Sequence, residues 1–461
     1  MIEHIHFYYC NDLHSHFDQW PNIVHYFNKK KKQHAQADEQ SWRIDIGDHV
    51  DRFHPIAEAY NGKANVELLN EAGIDFATIG NNEGITLEHE HLYHLYDQAN
   101  FQVTCGNLKP LNKNKPSWLQ HSITIQTKEN LNIKLFGLTA PFNAFYHPLG
   151  WHVESPYDYI EREINELKRD ADILILLSHL GLSEDQLIAE RYPEIDIIIG
   201  GHTHHLLKNG KEIQNTLLTA AGKHGKFVGE VHIEWDHQLD KIVNKQAYTV
   251  ETEHLSQDQD TVNKLEKMNN QAQELLNKQV TYLENSLTVN WFEQTPIIDS
   301  LTDKLKDWTN ADISMLNAGI LLENIGAGEV TYGDIHRICP HPINPCTVKL
   351  RGIEVLEIVR GAHDEALMRF ELKGFGFRGK VMGKFIFSGI DIDTDIDEAG
   401  IEHVHHVTFN GHEIEHDKVY TFATADMFTF GQMFPEIARS TTKEFYLPEF
   451  MRDLLADALR S

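Results

Sequence analysis

Ile195-Asp196-Ile197-Ile198-Ile199-Gly200-Gly201-His202-Thr203-His204 places a β-branched apolar run directly before a glycine turn that carries two histidines. Such a run, stopped by glycine, predicts a buried strand that ends in a functional-looking loop. The same phrase recurs upstream. His4 to Cys10 precedes Asp12-Leu13-His14, and Trp42 to Ile46 precedes Gly47-Asp48-His49-Val50-Asp51-Arg52. Phe76 to Ile79 precedes Gly80-Asn81-Asn82-Glu83, and Ile173 to Leu177 precedes Ser178-His179. Helical patterns separate several of these runs, whereas Ser122 to Gln126 and Ile133 to Leu138 read as antiparallel strands. Together they predict an α/β unit with a mixed sheet. Taken singly each block is weak, because a lone histidine after a strand is more often a structural residue. In order, they offer carboxylate oxygens, imidazole nitrogens and an amide oxygen at strand carboxyl ends, where side chains converge on ligands. That is the donor mix of a two-metal hydrolase.

Composition narrows the partners. The chain has 461 residues, which predicts about two to four domains. Its 41 Lys and Arg against 69 Asp and Glu leave a net charge of −28. Such a surface repels polyanions, so a nucleic-acid polymer is not an expected partner. The basic run Lys29 to Lys32 reads as a solvated helix end. A small anionic substrate stays open, since bound metal ions supply local positive charge. Cys10, Cys105, Cys339 and Cys346 form no CxxC pair and read as buried free thiols. The first residues lack a basic region followed by a long apolar run, and nothing approaches the apolar length of a membrane span. A cytoplasmic location with no membrane partner is the expectation.

The five blocks resemble the calcineurin-like metallophosphoesterases, specifically the 5'-nucleotidase/UDP-sugar hydrolase family. The resemblance implies a four-layer α/β/β/α sandwich followed by an α+β 5'-nucleotidase-type domain. It implies one divalent ion held by Asp12, His14, Asp48 and His204. A second would be held by Asp48, Asn81, His179 and His202, with Asp48 bridging. Mn, Zn, Fe or Co would suit such donors. Two ions roughly 3.5–4 Å apart lower the pKa of a bridging water and clamp phosphoryl oxygens. The implied activity is hydrolysis of a phosphoric ester in a nucleotide or nucleotide-sugar, with a bridging hydroxide as nucleophile. Asn81 would orient the phosphoryl group, while Asp51 and Arg52 would support the ligands. A 2',3'-cyclic-nucleotide phosphodiesterase or a UDP-sugar diphosphatase would use the same site. A metal-containing nucleotide sensor is the alternative outside enzymes.

The chain departs from the family at the third block, which ordinarily reads Gly-Asn-His-Glu-Phe-Asp with its His and Asp forming a catalytic dyad. Asn82 and Ile85 stand at those two positions. An amide gives up no proton near neutral pH, and general acid–base help is typically worth about 10²–10⁴ in rate. Either the substrate has a good leaving group, or a neighbouring imidazole, His49, His16 or His205, takes over. His49, beside Asp48, is the candidate catalytic histidine.

Domain boundaries are expected at 1–255 for the phosphoesterase domain, 256–284 for a linker helix and 285–461 for a substrate-binding domain. Gln257 to Leu283 is polar and free of Gly and Pro, with Leu265, Met268, Ala272 and Leu275 at helical spacing. In the last part, a helix over Ile297 to Trp308 and strands near Ile313, Thr347, Lys384 and Val419 are expected. This part resembles the family's nucleotide-binding domain through Leu316-Asn317-Ala318-Gly319-Ile320, Cys339-Pro340-His341-Pro342 and Gly431-Gln432-Met433-Phe434. The resemblance makes Asn317, His341 and Phe434 candidate substrate contacts, with Phe434 stacking on a base. Leu321 occupies the family's substrate arginine position, and His341 that of a stacking phenylalanine. Gly374 to Gly379 matches GxGxxG but precedes a strand-like run, so it reads as a turn, with Phe375 a candidate lining residue. Asp391, Asp393, Asp395 and Asp397 lack the glycine and glutamate of a calcium loop and read as a solvated edge. His89 to His94 reads as a helix surface.

Overall fold

All residues of the strand Ile173–His179 are buried. Its Ile173, Ile175 and Leu177 join one apolar core while Leu174 and Leu176 join another. A strand buried on both faces reads as a continuous apolar run, which is why no alternation marks it in the sequence. The computed structural model of the chain describes residues 1–397, 402–431 and 433–460. It separates into two units, Met1–Ala272 and Gln273–Ser461.

In the first unit two mixed sheets pack face to face. One has seven strands, in the order Lys241–Glu251, Phe227–Asp236, Ile2–Cys10, Gln40–Asp45, Phe76–Ala77, Gln102–Thr104 and Leu119–Gln120. The other has six: Lys211–Ile213, Thr216–Thr219, Ile197–Gly200, Ile173–His179, Asn132–Thr139 and Ile123–Gln126. Their shared core takes Ile5, Phe7, Tyr9, Ile44 and Ile46 from the first sheet and Leu135, Ile175, Leu177, Ile197 and Ile199 from the second. The Tyr9 hydroxyl reaches Thr219 Oγ1 at 2.6 Å across this interface. Helices Pro156–Arg169 and Leu182–Arg191 cover the outer face of the second sheet with Ile160, Leu167 and Ile188. Helix Trp20–Ala37 lies against the outer face of the first, where Tyr26 meets Tyr8 edge-on. The expected α/β/β/α layering is present, and the Ile123–Gln126 and Asn132–Thr139 pair is antiparallel as read.

The segment read as a linker helix divides in two. Gln259–Leu276 is helical, but Gln279–Leu283 is a strand paired antiparallel with Gly328–Thr331. Val280, Thr281 and Tyr282 prefer a pleated surface, and the pairing gives their backbone its partners. Met268, Ala272 and Leu276 are the buried apolar positions of the helix, whereas Leu275 is exposed. The boundary between the two units falls inside this helix.

The second unit centres on a five-stranded sheet ordered Phe385–Ser388, Ile313–Asn317, Val419–Ala425, Pro345–Arg351 and Glu444–Phe445. Helices Pro296–Thr309, Gly352–Ala362 and Met451–Arg460 supply Leu301, Leu305, Val355, Ile358 and Leu454 to its core. Asp391, Asp393 and Asp395 lie on the strand Asp391–Ile396, paired with Glu402–Phe409, where His405 bonds Asp395 at 2.6 Å. Among the described residues no helix is long and apolar enough to cross a membrane.

Candidate active site

The site is built from loops held in an uncommon backbone conformation. Asp12, His14, Asp48, His202 and His204 all have left-handed φ, between 50° and 71°. Non-glycine residues rarely adopt it, and such strain persists only where the surroundings hold it. Here backbone bonds tie the loops together: Asp12 N–H donates to Gly47 O at 3.1 Å and His14 N–H to Asp48 O at 2.8 Å. His202 N–H donates to the Asp12 carboxylate at 3.0 Å. Glycine allows the closest approach, since a Cβ on Gly80 would stand 2.1 Å from Asp48 Oδ1.

Six of the seven expected ligands fall into two trios whose donor atoms lie within 4.8 Å of one another. One is Asp12, His14 and His204; the other is Asp48, His179 and His202. The trios adjoin, with His14 Nε2 3.6 Å from Asp48 Oδ2 and His179 Nε2 3.8 Å from Asp12 Oδ1. Asn81 reaches them through Oδ1, 2.7 Å from His202 Nδ1.

The donor atoms fit cations. His179 donates Nδ1–H to Ile46 O at 2.7 Å, which turns Nε2 inward toward the carboxylates, and that buried atom makes no hydrogen bond. His14 Nε2 and His204 Nε2 face each other at 3.1 Å. Burial opposes charge on His179, yet Asp48 and Asp12 push its imidazole up to about 10. Asp48 is also buried, but His179 and His14 hold its carboxyl below the usual carboxylate range. Burial lowers His202 to about 4 and His204 to about 3, leaving both lone-pair bearing at neutral pH. Two buried carboxylates, which draw positive charge to His179 and His14 and face the neutral His202 and His204, make a site whose charge a cation balances.

A supporting layer holds these donors. Asn11 Nδ2 donates to Asp12 Oδ2 at 2.7 Å, and Asp51 Oδ2 stands 3.3 Å from His14 Nδ1. Arg52 instead bonds Glu58 at 2.8 Å. Glu83 is buried and accepts three backbone N–H groups, from Asp48 at 3.0 Å, Gly80 at 3.0 Å and Val50 at 2.9 Å. The sequence reading gave Asn11 and Glu83 no role. Their signal was a polar residue beside a ligand block, which alone does not separate a buried anchor from a surface group.

His49 does not join the cluster. Its ring is buried edge-on against Trp20, 4.9 Å between centroids, with Nδ1 3.2 Å from Asn65 Nδ2. Burial pushes it down to about 3, so the ring is uncharged near neutral pH. The left-handed turn at Asp48 sends adjacent side chains to opposite sides, one into the site and one into the core.

Three of the four expected substrate contacts are also in the core. His341 is 0% exposed; its Nε2–H donates to Ile320 O at 2.8 Å and its Nδ1 accepts Arg378 N–H at 2.9 Å. Phe434 is 2% exposed and packs edge-on against Phe385 and Phe428. Asn317 is buried, donating Nδ2–H to Met382 O at 2.8 Å. The expectation that His341 and Phe434 offer open faces to a base is therefore corrected: both rings are buried in the packing of the domain. Gln432 of the same block lies outside the described residues. Phe375, by contrast, is 51% exposed and stacks at 7° on Phe430.

Two adjoining trios of carboxylate and imidazole, raised on strand ends of a four-layer sandwich, define a metal-dependent phosphoesterase. Residues 5–206 match the calcineurin-like phosphoesterases and residues 269–435 the 5'-nucleotidase C-terminal domain. The chain belongs to the calcineurin-like metallophosphoesterases that carry this C-terminal domain, and it is a phosphoesterase. It is 44% identical over 458 residues to the metallophosphoesterase YunD of Bacillus subtilis, covering 99% of each chain. It is 21% identical over 379 residues to the 5'-nucleotidase of Bos taurus, covering 73% of this chain and 64% of that protein. The fold resembles that of the NAD nucleotidase of Haemophilus influenzae, with a TM-score of 0.68, 16% identity and coverage of 99% and 95%.

Proposed function

We propose that the chain is a dimetal nucleotide hydrolase of the 5'-nucleotidase type. The adjoining trios Asp12/His14/His204 and Asp48/His179/His202 carry this reading. On it, Asp12, His14, Asp48 and His204 hold one divalent ion, and Asp48, Asn81, His179 and His202 the other. Such ions would supply Lewis acidity for the phosphoryl oxygens and would acidify water.

The chain's own groups then position and exclude. Asp48 faces both trios, with Oδ2 3.6 Å from His14 Nε2 and Oδ1 3.3 Å from His179 Nε2. Asn81 offers its amide NH₂ to a phosphoryl oxygen while Oδ1 faces His202. Glu83 fixes the Asp48 loop through three backbone bonds. Phe375 and Phe430 form the aromatic surface proposed for the base, and such stacking is worth about 1–3 kcal/mol per base.

Asn82 supports a narrower form of this reading. Its N–H donates to Asp48 Oδ1 at 2.7 Å and its Nδ2 lies 2.9 Å from His14 Nδ1, so the position carries support and no acidic proton. Substrates whose leaving group needs little protonation, such as nucleoside phosphoanhydrides and cyclic phosphodiesters, fit that arrangement best. The test is phosphate and nucleoside release from nucleoside monophosphates, 2',3'-cyclic monophosphates and UDP-glucose with Mn²⁺, with and without chelator. Chelator-sensitive turnover of any nucleotide supports the proposal, and turnover of anhydride or cyclic substrates alone supports the narrower form. No turnover of any of them overturns both.

A further inference from the structure

Away from the site, the outer face of the first sheet breaks the pattern its layer demands. Strand Ile2–Cys10 turns Ile5, Phe7 and Tyr9 toward the core, which leaves His4, His6 and Tyr8 on the side that helix Trp20–Ala37 covers. The antiparallel neighbour pairs His4 with Glu234, His6 with His232 and Tyr8 with Glu230. A surface roofed by a helix is ordinarily apolar, and here it is a ladder of imidazoles and carboxylates.

His6 is the centre of this ladder. It is 7% exposed, and neither ring nitrogen makes a hydrogen bond. Its ring is sandwiched between His34, at 3.9 Å, and His232, at 4.5 Å. Its Nε2 stands 3.3 Å from Glu39 Oε2, and the same oxygen lies 2.8 Å from His34 Nδ1. His34 belongs to the last turn of the helix and Glu39 follows it, so three elements of chain converge on one point.

We propose that His6, His34 and Glu39 form a second metal site for a divalent transition cation, separate from the catalytic trios. Their donor atoms lie within 4.8 Å of one another. Two imidazoles and one carboxylate suit zinc, nickel, cobalt or copper(II) rather than magnesium or calcium, which take oxygen donors. A second layer is already in place. Tyr8 hydroxyl donates to Glu230 Oε1 at 3.1 Å and lies 2.6 Å from His34 Nε2. His34 Nδ1, hydrogen-bonded to Glu39 Oε2 at 2.8 Å, is the nitrogen that would give its place to a cation, while Tyr8 at Nε2 is the outer partner that orients a ligating histidine. Lys30 and Tyr26 hold the far oxygen of Glu230 at 3.1 and 3.3 Å. His4 Nδ1 and His232 Nε2, 3.1 Å apart, extend the ladder beyond it.

The test is a metal count on the full chain. Apoprotein is loaded with Zn²⁺, freed of excess by gel filtration, and its ions are counted by mass spectrometry for wild type, the His6→Gln/Glu39→Gln double variant and His34→Gln. His34 sits at the end of the helix, so its replacement is the gentler of the two. The expected result is one ion per chain fewer in both variants, with Mn²⁺-supported phosphoesterase activity within about twofold of wild type because no catalytic donor is touched. A Zn²⁺-dependent rise in Tm would shrink in parallel. Equal ion counts in wild type and His34→Gln would overturn the site. Because the count does not depend on turnover, its failure is distinguishable from failure of the nucleotide-hydrolase reading.

Discussion

Nδ2 of Asn82 lies 2.9 Å from Nδ1 of His14. The residue at the family's catalytic histidine position thus touches the back of a candidate ligand. Replacing it tests whether a missing acid limits the chemistry. Asn82→His is expected to raise turnover of substrates with poor leaving groups by about tenfold or more, within the range of general-acid help. Turnover of p-nitrophenyl esters would change little. A leaving-group series on both proteins measures this, and parallel slopes would refute it.

Asp48→Asn is expected to cut kcat by about 10³ or more, because an amide bridges two cations poorly and removes a buried charge from both trios. Metal content per chain should fall with it. Undiminished ion content together with full activity would place the bridging role elsewhere.

Glu83→Ala leaves three buried backbone N–H groups without their carboxylate. A buried donor left unsatisfied costs about 1–3 kcal/mol, so a loss of roughly 3 kcal/mol or more in stability is expected. Denaturant unfolding reads it, and Glu83→Gln, which keeps an acceptor, should lose less.

His341→Phe removes the acceptor for Arg378 N–H and the donor to Ile320 O. Stability should drop by about 2–4 kcal/mol, since both groups lose their partner in a buried place. KM for nucleotides should move less than about twofold, because a buried ring meets no ligand. A large KM change at unchanged stability would return His341 to the substrate site.

Burial pushes the Asp426 carboxyl up to about 8. The folded protein therefore keeps a proton that the unfolded chain releases near pH 4. Between pH 4 and 8 the unfolded state binds fewer protons, so stability falls as pH rises, by up to about 1.4 kcal/mol per pH unit from this group. Asp426→Asn should flatten that slope, with its largest stabilisation at and above pH 8. Denaturant titrations at pH 5 and pH 8 measure it.

The order of blocks along the chain, each an apolar run closed by a polar turn, determined an α/β unit with a mixed sheet, and the family resemblance those blocks carry implied the sandwich and seven ligands, six of which meet in two trios. That much is local. A β-branched run stopped by glycine predicts a buried strand, and donors just beyond the carboxyl ends of such strands lie where side chains can converge. Adjacent and distant choices were settled only by tertiary packing. Asp48 and His49 are neighbours in sequence, yet one faces the trios and the other Trp20. Gln279–Leu283 carried no break in polarity, and its strand exists because Gly328–Thr331 offers its backbone. His341 and Phe434 sit in family-like blocks, but which face of a ring is open depends on what packs against it. His6 and Glu39 are 33 positions apart, and a helix returning over a strand brings them to 3.3 Å. A one-dimensional pattern reports periodicity and residue type. Burial and convergence depend on contacts between segments that the pattern does not contain.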